Sequence, residues 1–228
     1  MRASSATRIL SLPSEESYAV RLVVAGAAGR TGLLLVRLAL EHGHEVTALV
    51  HDSARTLPAH ERLVVAAGDA GDPAVVAPLV AGSDAVISVL SHPGAPVVTI
   101  FSRGTRALAD AAEAAGVRRL VAVSAEPVGI DSARLPLAFR AVLLLPQLNV
   151  VYDDMARMEN DLLSRHGLDW TIVRPAVLTG LPARGRYRTE VGDLVDGGVT
   201  ISRGDLAAFL LRVVEERLHV RERVAIAD

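Results

Sequence analysis

The sequence contains no cysteine among its 228 residues. This absence excludes disulfides, thiolate metal sites and a cysteine nucleophile. None of the seven histidines falls in an H-E-x-x-H pattern, and we expect no metal site. The formal net charge is −2 and the basic residues are scattered, so no patch typical of a nucleic-acid-binding surface is present.

Long uninterrupted hydrophobic runs are also missing. Residues 1–17 lack the apolar core of a signal peptide, and we expect residues 1–18 to form a disordered tail. Residues 135–151 are strongly apolar but short for a membrane span, and polar residues and prolines interrupt them. We therefore expect a soluble, cytoplasmic protein without a membrane partner.

What the chain does have is enough apolar sequence for one substantial core, since 50% of its residues are hydrophobic. Over residues 19–228, short runs of Val, Leu, Ile and Ala alternate about six times with helical patterns. Nearly continuous apolar strands are typical of a parallel sheet covered on both faces. The sequence predicts a single α/β domain with a doubly wound parallel sheet. The expected strands cover 22–25, 45–50, 63–66, 84–90, 118–124, 169–174 and 223–227, and later helices cover 72–82, 97–115, 152–166 and 203–216.

A glycine turn follows the first expected strand. Gly26, Gly29 and Gly32 recur at three-residue spacing and lead into a run of helix formers. Such a turn lets backbone approach a pyrophosphate, and the helix start offers N–H groups and partial positive charge to it. A strand, this turn and a helix in that order predict a dinucleotide-binding unit.

Several segments resemble one family over nearly all of residues 20–228. They are GAAGRTG at 26–32, LVHDSAR at 49–55, GDAGD at 68–72, GSDAVISVLS at 82–91, AGVRRLVAVSA at 115–125, YDDMARMENDLL at 152–163, GLDWTIVRPAVLTG at 167–180 and ISRGDLAAFLL at 201–211. The chain is similar to atypical short-chain dehydrogenases/reductases, in particular to the NAD(P)H-binding family of biliverdin reductase B and flavin reductases. A weaker resemblance extends to NADP-sensing regulators of the nitrogen-metabolite-repression type.

The resemblance implies which residues hold the nucleotide. An arginine at the position of Arg30, or just after the second strand near His51 and Arg55, contacts the adenosine 2′-phosphate in relatives. Asp52 follows His51, and an acid near this strand end favours NAD, but this carboxylate lies one residue past the usual place. NADP(H) is therefore preferred, with NAD(H) as the alternative. The expected cofactor-binding residues are Gly26, Ala28, Gly29, Arg30, Thr31, Gly32, His51, Arg55, Asp69, Ala70, Val89, Leu90, Ser91, Ser124, Pro175 and Ala176.

The Tyr-x-x-x-Lys pair that supplies the acid in short-chain reductases is absent, so other residues must be considered for catalysis. Ser124 stands where the family places a serine facing the nicotinamide. Tyr152 lies one place from the family's tyrosine position, and a one-residue shift turns a helical side chain by about 100°. The two pocket histidines of biliverdin reductase B correspond to Met155 and Ala176, which puts biliverdin in doubt as a substrate.

Other polar residues carry open alternatives. Glu159 is expected to be structural, paired with backbone or an arginine. Arg184, Arg186 and Arg188 either lie over an anionic substrate or form a solvated hairpin. The histidines are expected at the surface, with His92 nearest the crevice.

Together these observations favour an NADPH-dependent reductase of a small flavin, quinone or carbonyl acceptor, with a substrate pocket formed by 126–151 and 176–200. The alternatives are a non-catalytic NADP-binding sensor and, third, an isomerase or epimerase using tightly bound NAD. The chain is expected to be a monomer or homodimer.

Overall fold

A computed structural model describes residues 19–51, 57–92, 98–130, 140 and 146–228. The first half contains β1 (Arg21–Ala25), α1 (Arg30–Glu41), β2 (Glu45–Val50), β3 (Leu63–Ala67), α2 (Pro73–Val80), β4 (Ala85–Ser88), α3 (Ile100–Ala115) and β5 (Arg119–Val123). The second half contains α4 (Pro146–Leu163), β6 (Asp169–Pro175), β7 (Val177–Thr179), β8 (Arg188–Val191), β9 (Thr200–Ser202), α5 (Arg203–Glu215) and β10 (Glu222–Ala227). The expected tail, and Asp52 and Arg55, lie outside the described residues.

Eight strands form one sheet in the order β3-β2-β1-β4-β5-β6-β10-β8. All neighbours pair in parallel except β8, which runs antiparallel to β10. From β1 the chain first adds β2 and β3 on one side, and it then crosses back to add β4, β5 and β6 on the other side. The reversal point of the sheet therefore lies between β1 and β4. The predicted doubly wound α/β fold is confirmed, and in such sheets ligands bind at this reversal point, at the carboxyl ends of the strands.

Helices cover both faces of the sheet because side chains along each strand alternate between two cores. In β1, Leu22 and Val24 face the core shared with α1 and α5. Val23 and Ala25 face the opposite core, which α2, α3 and α4 cover. The continuous apolar runs of the central strands follow directly from this double burial.

The structure corrects several details of the predicted elements. Strand β3 lies at the sheet edge, and Val64 is 62% exposed rather than covered on both faces. Helix α4 begins at Pro146, six residues before the predicted start, and α3 begins at Ile100 rather than at residue 97. The short strands β7, β8 and β9 were not predicted, since their mixed, half-exposed residues show no clear two-residue period.

Two buried arginines brace the sheet. Arg174 of β6 donates through Nε and Nη2 to the two carboxylate oxygens of Glu159 of α4, which confirms the expected structural role of Glu159. Arg119 at the start of β5 donates to the carbonyls of Asp169, Val213 and Leu218. Burial, and then the charge of Arg217, lowers the pKa of Arg119 to about 10.

Within the described part of the chain, no helix combines the length and apolar character needed to cross a bilayer.

Candidate functional site

The glycine turn after β1 is built from close backbone contacts. Gly26 has a φ of +84°, a left-handed conformation that favours glycine. Its N–H donates to the carbonyl of Leu49 at 3.1 Å, which ties the turn to the end of β2. A Cβ on Gly26 would lie 2.5 Å from the carbonyl oxygen of Val89, and one on Gly32 would lie 2.8 Å from Cα of Ala27. A side chain is therefore excluded at Gly26 and at Gly32.

Helix α1 starts from this turn with Gly29 as its N-cap and no side chain capping it. The N–H groups of Arg30, Thr31 and Gly32 belong to the first turn, where no intrahelical carbonyl is available to them. These donors and the helix dipole favour an anion at this point. The turn and helix start are thus suited to a phosphate group, as the sequence predicted.

A cleft of about 490 Å³ opens beside this turn, at the carboxyl ends of β1, β2, β3 and β4. Eight of the predicted cofactor residues line it: Gly26, Ala28, Gly29, His51, Asp69, Ala70, Leu90 and Ser91. His92, the histidine expected nearest the crevice, lines it too. Val89 is buried beneath the cleft, where its carbonyl packs against Gly26. The cleft lies at the reversal point of the sheet.

Asp69 and Arg103 form an ion pair at the mouth of the cleft. Arg103 Nη2 donates to Asp69 Oδ2 at 2.6 Å, and the N–H of Gly71 donates to Asp69 Oδ1 at 2.8 Å. The Gly71 N–H and then Arg103 hold the pKa of Asp69 below its usual value, against the opposing effect of burial. Asp69 is therefore an ionised acceptor beside the space that an adenosine would fill.

Sequence reasoning missed the wall of the cleft that α3 supplies. Val98, Thr99, Ile100 and Arg103 all line it. The start of α3 is held by Asp154 of α4, whose carboxylate accepts the N–H groups of Phe101 and Ser102 and the Ser102 hydroxyl. Asp154 lies more than fifty residues away along the chain, so no local pattern indicates this contact.

Arg30 does not line the cleft. It is exposed. Burial and then the charge of Arg30 lower the pKa of Arg203, the first residue of α5, so the two guanidinium groups lie near each other. Neither guanidinium shows a carboxylate partner within the described ranges. The two cations stand together beside the starts of two helices, where an anionic ligand would relieve their repulsion.

A second group of predicted residues lies at the ends of β5 and β6. Ser124 is buried, and its hydroxyl has no hydrogen-bond partner among the residues that the structure describes. Pro175 and Ala176 are buried beside it in the neighbouring strand end. An unpartnered buried hydroxyl is uncommon in native proteins and is typical of a group that meets a ligand.

Tyr152 lies in the second turn of α4 rather than at its start. It is half-buried, and burial raises the pKa of its hydroxyl. The residue four places on is Ala156, and the whole chain contains no lysine, so no Tyr–Lys pair can form. A lowered tyrosine pKa, which such a pair would produce, is not found here.

The structure agrees with some predictions for the histidines and arginines and contradicts others. His44 was expected at the surface but is fully buried: its Nε2 and His42 Nδ1 both contact Glu215 Oε1, at 2.9 and 2.8 Å. Arg188 donates to the main-chain carbonyls of Asp196 and Asp228, which gives it a structural role. Arg184 and Arg186 are exposed.

The three ligand-type atoms of His42, His44 and Glu215 lie within 4.8 Å of one another. However, His44 Nδ1 accepts the N–H of Val20 at 3.3 Å, so its proton sits on Nε2 and points to Glu215. A metal at Nε2 would move that proton to Nδ1, against the Val20 N–H. His42, His44 and Glu215 therefore form a hydrogen-bonded contact that joins α5 to the connection after α1.

These features fit a dinucleotide. The glycine turn and the uncapped helix start suit a pyrophosphate, and the cleft with Asp69 suits an adenosine. The unpartnered Ser124 hydroxyl lies at the carboxyl end of β5.

A family model described as NAD(P)H-binding matches residues 26–217. The 3 beta-hydroxysteroid dehydrogenase/Delta 5-->4-isomerase of Mycobacterium tuberculosis is 28% identical over 207 residues, which are 83% of this chain and 55% of that protein. The chain spans about half the length of these curated relatives.

Solved structures share the fold. A Streptococcus pneumoniae protein named as a candidate NADH-flavin reductase is 22% identical with a TM-score of 0.77, covering 92% of this chain and 100% of that one. A wide-type short-chain dehydrogenase/reductase from Veillonella parvula, in complex with NADP, is 18% identical with a TM-score of 0.75, covering 92% and 95%. Because the family model spans most of the chain and the solved structures share the fold, the protein belongs to this NAD(P)H-binding family.

Proposed function

We propose that this protein is an NADPH-dependent reductase that transfers a hydride to a small conjugated acceptor, namely a flavin, a quinone or a carbonyl compound. The observation that carries the proposal is the glycine turn, which admits no side chain at Gly26 or Gly32, beside a cleft of about 490 Å³ at the reversal point of the sheet. Family membership supports oxidoreductase chemistry.

The chain's own residues bind and orient the reactants. Backbone N–H groups at the start of α1 hold the pyrophosphate, and the wall from β2 to α3 holds the adenosine. When bound, the reduced dinucleotide supplies the hydride. Ser124 donates or accepts a hydrogen bond at the reacting end, and the β5 and β6 ends exclude water there because their side chains are buried.

We base the preference for NADPH over NADH on positive charge near the start of α1. Arg30 and Arg203 lie near the phosphate-binding helix start, and His51 follows β2. The NADP bound to the Veillonella parvula structure supports this choice. Arg30 is the residue we assign to the 2′-phosphate.

A fluorescence titration tests this assignment. We expect NADPH to bind at least about tenfold more tightly than NADH, and Arg30→Ala to reduce that ratio. Arg37→Ala is the control, because Arg37 is an exposed arginine further along the same helix. Equal affinities for both nucleotides, before and after the change, would refute the assignment.

Turnover is tested by following NADPH oxidation with a panel of flavins, quinones and aldehydes. Turnover of any one supports the reductase. A protein that binds NADP(H) tightly, captures a protein partner and oxidises NADPH with none of them would instead be a non-catalytic sensor. The absence of a Tyr-x-x-x-Lys pair is the observation that favours this second candidate.

The proposal includes a small-molecule acceptor as the partner and a cytoplasmic location, with the protein a monomer or a homodimer. Size-exclusion chromatography with light scattering distinguishes the last two.

A further inference from the structure

Glu126 has an unusual environment. Its side chain is buried, with 2% of the residue exposed. One carboxyl oxygen, Oε1, accepts the N–H of Val195 at 3.1 Å. The other, Oε2, has no partner among the residues that the structure describes. A buried carboxyl oxygen without a partner is costly, so its presence calls for an explanation in function.

The backbone places Glu126 at the ligand-binding edge of the sheet. The N–H of Ser124 donates to the carbonyl of Val173 at 2.8 Å, and the N–H of Glu126 donates to the carbonyl of Pro175 at 3.1 Å. These bonds extend the pairing of β5 with β6 beyond the end of β5. Glu126 and the unpartnered hydroxyl of Ser124 are thus two residues apart at the carboxyl end of β5.

Glu126 also links the two segments expected to form the substrate pocket. Glu126 is the first residue of the expected segment 126–151, of which the structure describes 126–130, 140 and 146–151. Its partner Val195 lies in the expected segment 176–200 and packs in a small apolar cluster with Ala176. We place the acceptor of the proposed reaction beside this contact, next to Ala176 at the end of β6.

The charges around Glu126 favour its neutral form. Burial raises the pKa of its carboxyl, and the Val195 N–H opposes this only in part. The contacting segment 192–198 carries Asp193 and Asp196 and no basic residue. Arg174 of the neighbouring strand is engaged by Glu159.

We propose that Glu126 is the proton donor of this reductase, acting on carbonyl or quinone acceptors. This inference rests on the proposed reductase function. The acceptor gains a hydride, with its two electrons, from the reduced nicotinamide, and its oxygen takes the proton from Glu126 Oε2. The O–H bond of the carboxyl breaks, a carboxylate remains, and a proton from solvent restores it. Glu126 thereby supplies the acid that the missing Tyr–Lys pair would provide.

The Glu126→Gln variant tests the proposal. Glutamine retains an Oε1 that accepts the Val195 N–H, but it cannot transfer a proton. We expect an unchanged melting temperature, an unchanged Kd for NADPH and a kcat for aldehyde or quinone reduction lower by about 100-fold or more. The control is Glu41→Gln, an exposed glutamate at the far end of α1 that should retain full activity.

A second measurement does not depend on turnover. Infrared difference spectra between wild type and Glu126→Gln, recorded at neutral pH with and without NADP⁺, should show the C=O stretch of a protonated carboxylic acid in the wild type alone. An ionised Glu126 in this experiment would overturn the proposal.

The outcomes separate the two proposals. If the wild type oxidises NADPH with none of the acceptors, the reductase function itself is refuted, while the infrared spectrum still decides whether Glu126 holds a proton. If the wild type reduces quinones or aldehydes and Glu126→Gln does so equally fast, only the role of Glu126 is refuted. A wild type that reduces flavins alone would also overturn it, since a reduced flavin can take its proton from solvent.

Discussion

At the scale of single residues, the site depends on positions where a side chain is absent. Gly32 lies inside α1, where alanine would normally stabilise the helix by about 1 kcal/mol. Here the Cβ of an alanine would lie 2.8 Å from the backbone of Ala27 and closer still to the carbonyl oxygen of Gly26. Close packing of helix against turn therefore outweighs intrinsic helix propensity at this residue.

We predict that Gly32→Ala weakens NADPH binding by at least about tenfold and destabilises the protein by about 1–3 kcal/mol, because the turn must shift. Fluorescence titration and urea unfolding measure the two effects. Leu33→Ala is the matched control, since Leu33 is 40% exposed on the same helix. If the Gly32→Ala variant binds NADPH normally and is more stable than wild type, helix propensity outweighs close packing at this residue.

The sequence predicts the place of some polar residues of the cleft but not of others. Asp69 follows a strand and a glycine, so its place in the cleft was predictable. Its partner Arg103 was not, because it comes from the next helix but one along the chain. The pKa of Asp69 is lowered by contacts on both sides of the cleft mouth.

At the scale of elements, helix ends are held by side chains from other helices. The N-cap of α3 is Thr99, which makes no side-chain capping bond. Asp154 of α4 does this instead, at 2.9 Å from the N–H of Phe101 and 3.2 Å from that of Ser102. The contact positions α3, and with it one wall of the cleft.

We predict that Asp154→Ala destabilises the protein by about 1–3 kcal/mol, because two helix-end N–H groups lose a buried acceptor. NADPH affinity should fall as well, since Arg103 lies in the first turn of α3. Asp153→Ala provides the control, as Asp153 is the exposed neighbour on α4. Equal stability of the two variants would contradict the capping role.

The end of α5 is held in the same manner. Glu215 accepts from His42 and the buried His44, and these bonds lower the pKa of its carboxyl although burial alone would raise it. A pKa lowered in the folded state contributes stability above the ordinary value of 4.5, and the contribution is lost as pH falls through the folded value.

We predict that Glu215→Ala costs about 1–3 kcal/mol at neutral pH, because His44 loses its buried acceptor. The difference from wild type should shrink once pH falls below 4.5. Denaturant unfolding between neutral and acid pH measures this, with Glu216→Ala as the exposed control. If the difference in unfolding free energy is constant over this pH range, the contact of Glu215 with the two histidines does not stabilise the protein as proposed.

At the scale of the whole molecule, ligand binding and stability are linked. The cleft is formed by the ends of four strands and the start of α3, which belong to both halves of the sandwich. A nucleotide that binds only the folded chain must therefore raise the free energy of global unfolding.

We predict that NADPH at a hundred times its Kd stabilises the protein by about 2.7 kcal/mol, with about 1.4 kcal/mol for each further tenfold increase. Thermal unfolding at several NADPH concentrations measures this. The same series on Gly32→Ala should show a smaller shift at equal concentration. Unfolding temperatures that do not respond to any pyridine nucleotide would refute nucleotide binding itself.

Much of this molecule was determined by local sequence. The apolar runs, their alternation with helices and the glycine spacing from Gly26 to Gly32 predicted the sheet, its double covering and the glycine turn before α1. These features depend on residues that are neighbours along the chain, so strand period, helix period and turn chemistry reveal them. Eight predicted residues meet in the cleft for the same reason, because the ends of parallel strands share one edge.

Other features were decided only by the tertiary structure. The cleft wall from α3, the cap from Asp154, the burial of His44 and the unpartnered oxygen of Glu126 all join segments far apart in sequence. Their side chains have no period or spacing that marks them, since an acid or histidine in a loop looks alike whether it is solvated or buried. Packing of distant elements sets their surroundings, and the surroundings decide whether such a group is a surface charge, a structural tie or a reactive acid.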